Sequence, residues 1–330
     1  MLYKTKHNAA QRTHRGEEAV VVCGPGCSSG GQLSLRRDKI RIRETVSSDV
    51  PPAELREKLL TAGTAILTGV PQDVRDELVR FCFERDIRCY LVPTVSDVMM
   101  RSGRTVRMTD TTLLLLPNAG LTARQRMQKR LFDIFAAVAA IGITWPLMVL
   151  IALAIRLEDG GPVLFTQDRL TEKGRIFRIY KFRSMRADNR QRSYVLTRKN
   201  DSRLTSVGKV IRRLHLDELP QLVNILKGEM SFVGPRPECP DLAAQYRELI
   251  PQFDYRLKAR AGLTGYAQVH GKYNSAPGEK LKMDLYYITN YSFALDIKLM
   301  LQTVKILFLQ EKSEGIDPWQ TSAASGDHGI

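Results

Sequence analysis

The chain has 330 residues, a length typical of roughly two domains, and 43% of them are hydrophobic. This composition excludes a disordered chain and a transporter with many membrane spans. The formal net charge of +15 predicts anionic partners, which are nucleic acid, lipid headgroups or phosphorylated substrates. The five cysteines form no CxxC pair and no dense framework, which indicates reduced cytosolic thiols.

The first 120 residues alternate short apolar segments with turns. The segments typical of strands are 19–23, 64–70, 87–93 and 111–117. Pro71 opens a helical pattern between two of them, and strand–helix–strand at these lengths predicts a small parallel sheet. The glycine-rich turn 24–31 lacks the full GxGxxG pattern, so a plain turn is favoured over a nucleotide site.

Residues 131–155 form one long apolar segment. As a straight helix it would extend about 37 Å, more than the roughly 30 Å of a bilayer core. Pro146, which follows Trp145, predicts a bend or break because it removes a helix hydrogen bond. Both flanks are basic, which places both ends on the cytoplasmic face. A re-entrant helix broken at Trp145 and Pro146 satisfies both observations; a single span and a buried soluble helix are the alternatives.

Two adjacent carboxylates, Asp217 and Glu218, lie upstream of the motif Pro235-Arg236-Pro237. Carboxylates can attack, take a proton or hold a divalent metal, and an arginine stiffened by prolines suits phosphate binding. We expect a helix after Gly208 to carry the pair and Pro220 to lie in a first helical turn, where a helix dipole would favour phosphate. Ordinary helix-start charges and a solvated arginine are the alternatives.

Other basic residues could add to such a site. Lys181 and Arg183 alternate on a predicted strand and would share a face. Arg203 and Arg212 would add positive charge just before the two carboxylates. A solvated surface is the usual role of such a charge run, and a lone His215 is more often structural than catalytic.

Together, these segments resemble the bacterial sugar transferase family, the monotopic polyprenyl-phosphate phosphoglycosyl transferases. The motifs that carry the resemblance are, in order, KRLFDIF, the Trp145-Pro146 pair, GPVLFTQDR, YKFRSM, DSRLTSVGKVIRR, LDELPQLVNILKGEMSFVGPRPE, GLTGYAQVHG and YITNYSFALD. The resemblance implies an α/β fold with four parts. These are a truncated Rossmann-like accessory domain (1–120), a basic interfacial segment with a re-entrant membrane helix (121–158), an α/β catalytic domain (159–312) and a disordered tail (313–330).

The resemblance also implies the reaction. A sugar-1-phosphate would pass from a UDP-sugar to a polyprenyl phosphate such as undecaprenyl phosphate, with release of UMP, as the first membrane step of exopolysaccharide or glycan synthesis. Asp217 would form a covalent phosphosugar intermediate, Glu218 would act as base or metal ligand, and both would hold Mg²⁺. The implied phosphate and substrate contacts are Lys181, Arg183, Arg203, Arg212, Pro235, Arg236, Pro237, Arg260 and Gln268.

The match has two departures, since Ala261 replaces a usual proline and His215 a usual small hydroxyl residue. Neither removes a reacting group. The resemblance implies the bacterial inner membrane, with the catalytic domain facing the cytoplasm and an anionic membrane surface as partner, and leaves a homo-oligomer open. Aromatic residues do not interleave with the basic ones, so we expect no nucleic-acid partner. A membrane-anchored binding protein and a pseudoenzyme scaffold are the alternatives.

Overall fold

The computed structural model describes residues 18–25, 40–109, 111–116, 120–186, 203–272 and 275–308. Contacts within the chain divide it into two compact units, Met1–Thr94 and Val95–Ile330. This division differs from the boundary near residue 120 that the sequence predicts, because residues 95–116 group with the C-terminal unit. The predicted tail 313–330 lies outside the described residues.

The first unit is a parallel α/β fold. Its elements are β1 (Glu18–Cys23), β2 (Arg41–Ser47), α1 (Pro52–Ala62), β3 (Thr64–Thr68), α2 (Gln72–Glu84) and β4 (Arg88–Leu91). The strands lie in the order β2–β1–β3–β4 and all pair in parallel. β1 has a neighbour on each edge, which accounts for its unbroken run of buried apolar residues. The predicted parallel sheet is confirmed, whereas its Rossmann-like assignment stays a prediction.

An antiparallel hairpin lies near the start of the second unit. It follows α3 (Val95–Arg101) and consists of β5 (Arg104–Met108) and β6 (Thr111–Leu115). Among the described residues β6 pairs with β5 alone, so the prediction that 111–117 extends the parallel sheet is wrong. The reason is the short connection between the two strands, since a parallel crossover needs a dozen residues or more.

The remainder of the second unit is mixed α/β, as predicted. Its elements are α4 (Ala123–Asp159), β7 (Leu164–Leu170), β8 (Ile176–Phe182), α5 (Ser206–Arg213), α6 (Gln221–Lys227), β9 (Met230–Val233), α7 (Pro240–Leu249), β10 (Ala261–Thr264), α8 (Tyr266–His270), α9 (Pro277–Thr289) and α10 (Phe293–Phe308). β7 and β8 form an antiparallel hairpin, and β9 pairs in parallel with β10. Buried apolar residues join β8 to α6 and β9 to α9, which fixes the loops between these elements.

α4 is one continuous helix of 37 residues. A capping box at Thr122 and Gln125 begins it, and helical backbone continues through Pro146. The predicted break at Trp145 and Pro146 is therefore absent; a proline removes a single hydrogen bond, and the bonds on either side continue the helix. Within its apolar window 11% of the residues are buried, which argues against the core helix of a soluble protein.

One face of α4 packs against the rest of the second unit at two places along the helix. Ala137 joins the buried cluster that contains Ile225 of α6, and Ile155 joins the cluster that contains Ile211 of α5. Large apolar side chains that are exposed elsewhere on the helix include Leu131, Phe135, Ile143, Leu150 and Leu157. One side of α4 therefore belongs to the core of the second unit, and the other side is free to contact lipid.

Candidate active site

The carboxylate pair, Asp217 and Glu218, lies in a short 3₁₀ turn, Leu216–Glu218, between α5 and α6. α5 ends at Arg213, and His215 is left-handed with a φ of 56°. The prediction that the pair lies within a helix continued from Gly208 is therefore wrong. Pro220 caps α6 and cannot supply the amide that a continuous helix needs, so the pair lies just before a helix N-terminus, as predicted.

Glu218 is held by Lys181 of β8. The Lys181 Nζ donates to Glu218 Oε1 at 2.6 Å, and each side chain is 20% exposed. Burial raises the pKa of Glu218, but the positive charges of Lys181 and Arg236 outweigh it and bring that pKa to about 2. Glu218 is therefore ionised throughout the physiological range.

Asp217 has a different environment from its neighbour. The residue is 9% exposed, and burial together with the charge of Glu218 raises the pKa of its carboxyl. Lys181, Arg212 and His215 oppose this increase without cancelling it. A carboxylate with a raised pKa is the more basic of two. The two carboxylates therefore differ, since Glu218 is paired with Lys181, whereas Asp217 is buried and has a raised pKa.

Arg236 projects from a rigid loop. Pro235 and Pro237 on either side are buried, whereas Arg236 is exposed and its charge acts on Glu218. The carbonyl oxygen of Arg236 also accepts a hydrogen bond of 2.9 Å from Arg256. The loop is therefore held by a side chain as well as by its two prolines.

Arg256 is a functional candidate that the sequence analysis did not identify. It is 4% exposed and forms ion pairs with Glu238 at 3.4 Å and with Asp284 at 2.8 Å. Burial raises the pKa of Asp284 to about 6 although Arg256 opposes the change. Asp284 occupies a buried position on α9 among leucines and isoleucine. A charged residue on the apolar face of a helix predicts a buried partner of opposite charge, and this was the signal in the sequence that could have indicated Arg256.

The other predicted phosphate ligands lie in several places. Arg183 follows the end of β8 and is buried in an ion pair with Asp159 of α4, so it does not share the environment of Lys181. Gln268 donates to the carbonyl of Leu263 at 3.0 Å, and the carbonyl of Arg203 accepts from the amide of Arg186 at 3.0 Å. For these residues a phosphate contact stays a prediction.

Arg260 belongs to another group of charges. The charged groups that act on its pKa are Glu172, Arg130, Asp133 and Arg175. Neither carboxylate of the pair is among them. For Arg260 too, a phosphate or substrate contact stays a prediction.

The carboxylate pair can serve as a partial site for a divalent cation. Among the residues that the structure describes, no group of three His, Cys, Asp or Glu side chains is arranged for a metal. Mg²⁺ is commonly bound by one or two carboxylates together with substrate phosphates and water. Asp217 and Glu218 fit this mode, in which the substrate completes the coordination.

Comparison with known proteins identifies the family of residues 124–310. The family model described as bacterial sugar transferase matches residues 124–310. The UDP-N-acetylgalactosamine-undecaprenyl-phosphate N-acetylgalactosaminephosphotransferase of Aeromonas hydrophila is 46% identical over 182 residues, which are 54% of this chain and 43% of that protein. The exopolysaccharide production protein PSS of Rhizobium leguminosarum bv. phaseoli is 41% identical over 185 residues, or 53% and 92% of the two chains.

A third relative is the UDP-glucose:undecaprenyl-phosphate glucose-1-phosphate transferase of Escherichia coli (strain K12), 36% identical over 219 residues, or 65% of this chain and 47% of that protein. The chain thus spans less than half the length of the Aeromonas and Escherichia relatives. The matched family region runs from α4 to α10 and includes the carboxylate pair and the Pro235–Pro237 loop. Because that region is more than half of the sequence, the chain belongs to the bacterial sugar transferase family.

Proposed function

We propose that this protein transfers a sugar-1-phosphate from a UDP-sugar to a polyprenyl phosphate and releases UMP. The observation that carries the proposal is the unequal carboxylate pair, a buried Asp217 with a raised pKa beside an ionised Glu218 held by Lys181. Its place inside the family region, and relatives named as undecaprenyl-phosphate sugar phosphotransferases, support the substrate class.

The transfer consists of two displacements at one phosphorus atom. In the first, an Asp217 oxygen bonds to the β-phosphorus of the UDP-sugar, the bond to the bridging oxygen breaks and UMP leaves. In the second, an oxygen of the lipid phosphate bonds to that phosphorus, and the Asp217 carboxylate is released unchanged. A carboxylate nucleophile suits this task because it divides a difficult transfer between two anions into two easier steps.

The neighbouring residues stabilise charge. Lys181 and Arg236 place positive charge where the phosphate oxygens gather. A pKa of about 2 makes Glu218 a poor proton acceptor. We therefore assign Glu218 the role of holding Lys181 and a cation. Mg²⁺ held by Asp217, Glu218 and the diphosphate would neutralise substrate charge as a Lewis acid.

α4 supports a location on one face of the membrane. Lys129 near its start pairs with Asp296 at 2.5 Å, and Ile155 near its end is buried against the same unit. These two residues are about 39 Å apart along a straight helix, which exceeds a bilayer core of roughly 30 Å. A crossing helix would carry part of the polar unit into hydrocarbon. We infer that α4 inserts its exposed apolar face from the cytoplasmic side of the inner membrane without crossing it.

The test is UMP release by purified protein in detergent or nanodiscs, with Mg²⁺, undecaprenyl phosphate and a panel of UDP-sugars. Because the relatives are named for N-acetylgalactosamine and for glucose, the panel contains both sugars. Asp217→Asn should reduce the rate at least about a thousandfold. Asp168→Asn is the matched control, since that carboxylate is 59% exposed on β7.

A second measurement isolates the nucleophile. With UDP-sugar and no lipid acceptor, mass spectrometry should find a phosphosugar on the peptide that contains Asp217, and none in Asp217→Asn. Full activity of Asp217→Asn would reject the nucleophile. Failure of folded wild-type protein to release UMP from any donor would reject the reaction.

A further inference from the structure

Near the start of α4, the charges of Glu172, Arg130 and Arg175 act on Arg260, and Arg126 pairs with Glu172. We call these four arginines the arginine cluster: Arg126, Arg130, Arg175 and Arg260. Arg126 Nη2 lies 3.4 Å from Glu172 Oε1. Arg175 Nε donates to the Glu172 carbonyl at 3.5 Å. This cluster is separate from the charges that act on the carboxylate pair.

Two members of this neighbourhood are already engaged. Arg130 donates from both Nη atoms to the carbonyls of Ile225 and Leu226, at 2.6 Å each. Asp133 is fully buried and accepts from Ser231 and from the Phe232 amide. Among the described residues, the four arginines therefore face two carboxylates, those of Glu172 and the buried Asp133, and positive charge is in excess.

Within the arginine cluster, Arg260 has a buried donor that lacks a hydrogen-bond acceptor among the described residues. Its Nε is buried and has no hydrogen-bond partner among the described residues. Burial lowers the pKa of Arg260, and the charges of Arg130 and Arg175 lower it further, whereas Glu172 and Asp133 oppose them. Leaving a buried charged donor unsatisfied is costly, and a guanidinium matches a phosphate through two parallel hydrogen bonds.

The position of the cluster indicates the source of the phosphate. Arg126 lies on α4 immediately before side chains that are exposed and apolar, Met127 at 61%, Leu131 at 62% and Phe135 at 76%. Arginines at the edge of an apolar surface are suited to lipid headgroups. We propose that the arginine cluster binds the phosphate of an anionic phospholipid headgroup. This inference rests on the proposed insertion of α4 into the membrane.

The test uses the full chain in neutral detergent, with short-chain phosphatidylglycerol or phosphatidylcholine as the probe and native mass spectrometry as the readout. Wild type should retain phosphatidylglycerol in preference to phosphatidylcholine. Arg260→Gln should bind phosphatidylglycerol about tenfold more weakly, because it loses a charged hydrogen bond. Arg247→Gln removes an equal charge from a 40% exposed arginine on α7 and should bind as wild type does.

Further measurements distinguish a lipid headgroup from a soluble anion and from the substrate. Inorganic phosphate that binds the cluster and displaces the lipid would assign the site to a soluble anion and overturn the lipid source. Unchanged lipid binding with a higher KM for the UDP-sugar in Arg260→Gln would return Arg260 to the substrate site. If Arg260→Gln melts early, the exposed Arg175→Gln replaces it, and unchanged lipid binding there would reject the cluster. Wild type that fails to bind vesicles but releases UMP would reject membrane insertion alone.

Discussion

At the scale of single residues, the two adjacent carboxylates acquire different chemistry from their neighbours. Glu218 has a lysine within hydrogen-bond distance and an arginine whose charge reaches it, and its pKa falls to about 2. Asp217 is buried beside that negative charge, and its pKa rises. Environments that move two pKa values apart commonly divide the roles in a catalytic pair. Here they leave Asp217 as the group whose titration should control the rate.

We expect the pH–rate profile of the first step to fall at acid pH through a single titration. Asp217 must be ionised to attack, so the rate should fall as pH falls through its pKa, which lies above the ordinary value of 3.8. Glu218 stays ionised over the same range and should add no second limb. The measurement is single-turnover UMP release without a lipid acceptor, because a lipid phosphate would itself titrate. A limb at or below 3.8 would contradict the raised pKa.

Lys181→Met should move this acid limb to higher pH. Lys181 lowers the pKa of Asp217, so removing its charge leaves the carboxylate harder to ionise. We also expect the rate at neutral pH to fall on the order of tenfold, through loss of a charged hydrogen bond. Arg178→Met is the control, since Arg178 lies on the same strand and its side chain is 75% exposed. Equal pH profiles for the two variants would show that the charge of Lys181 does not act on the carboxylate pair.

The sequence indicates the carboxylate pair, whereas the residues that support the pair depend on tertiary structure. Aspartate, glutamate and arginine in a motif indicate phosphate chemistry by residue type alone. The alternation of Lys181 and Arg183 suggested a shared face, but β8 ends at Phe182 and the Arg183 side chain pairs with Asp159 of α4, whereas Lys181 pairs with Glu218. Arg256 contacts Arg236 through tertiary structure, and no local spacing links these two residues.

At the scale of elements, the Pro235–Pro237 loop and the GLTG strand β10 meet backbone to backbone. A methyl group on Gly234 would overlap the Arg260 carbonyl and the Gly262 amide. A methyl group on Gly142, which lies within α4, would meet nothing within 4 Å. Gly234 therefore allows the Pro235–Pro237 loop to pack closely against β10, and this packing keeps Arg236 beside Glu218.

Gly234→Ala should destabilise the protein by about 1–3 kcal/mol, the usual cost of overpacking a tight contact. Thermal unfolding measures the effect. Gly142→Ala is the matched control and should be neutral or stabilising, because alanine is the better helix former and the space is open. An unchanged melting temperature in Gly234→Ala would show that the loop relaxes, and the proposed rigidity of the Arg236 loop would then be wrong.

At the scale of the whole molecule, the apolar pattern predicted β1, β3 and β4 of the parallel sheet, but it missed the polar strand β2, Arg41–Ser47. It also missed the antiparallel pairing of β6, because that pairing depends on the short connection to β5 and not on the pattern within the strand. α4 shows the same limit. Apolar residues lie on all sides of the segment 131–155, so its pattern does not distinguish the face that contacts protein from the face that contacts lipid.

The docking of α4 predicts that the segments before and after it lie on the same side of the membrane. Arg124→Cys places an exposed thiol in the first turn of α4, and Arg178→Cys places one in β8, after the helix ends. An impermeant maleimide should label both variants in inverted vesicles and neither in intact cells, above the background of the wild-type chain, whose described cysteines are buried or half-buried. If α4 crossed the membrane, the maleimide would label one of the two variants in intact cells. That outcome would mean that the contacts of Lys129 and Ile155 with the second unit do not both persist in the membrane.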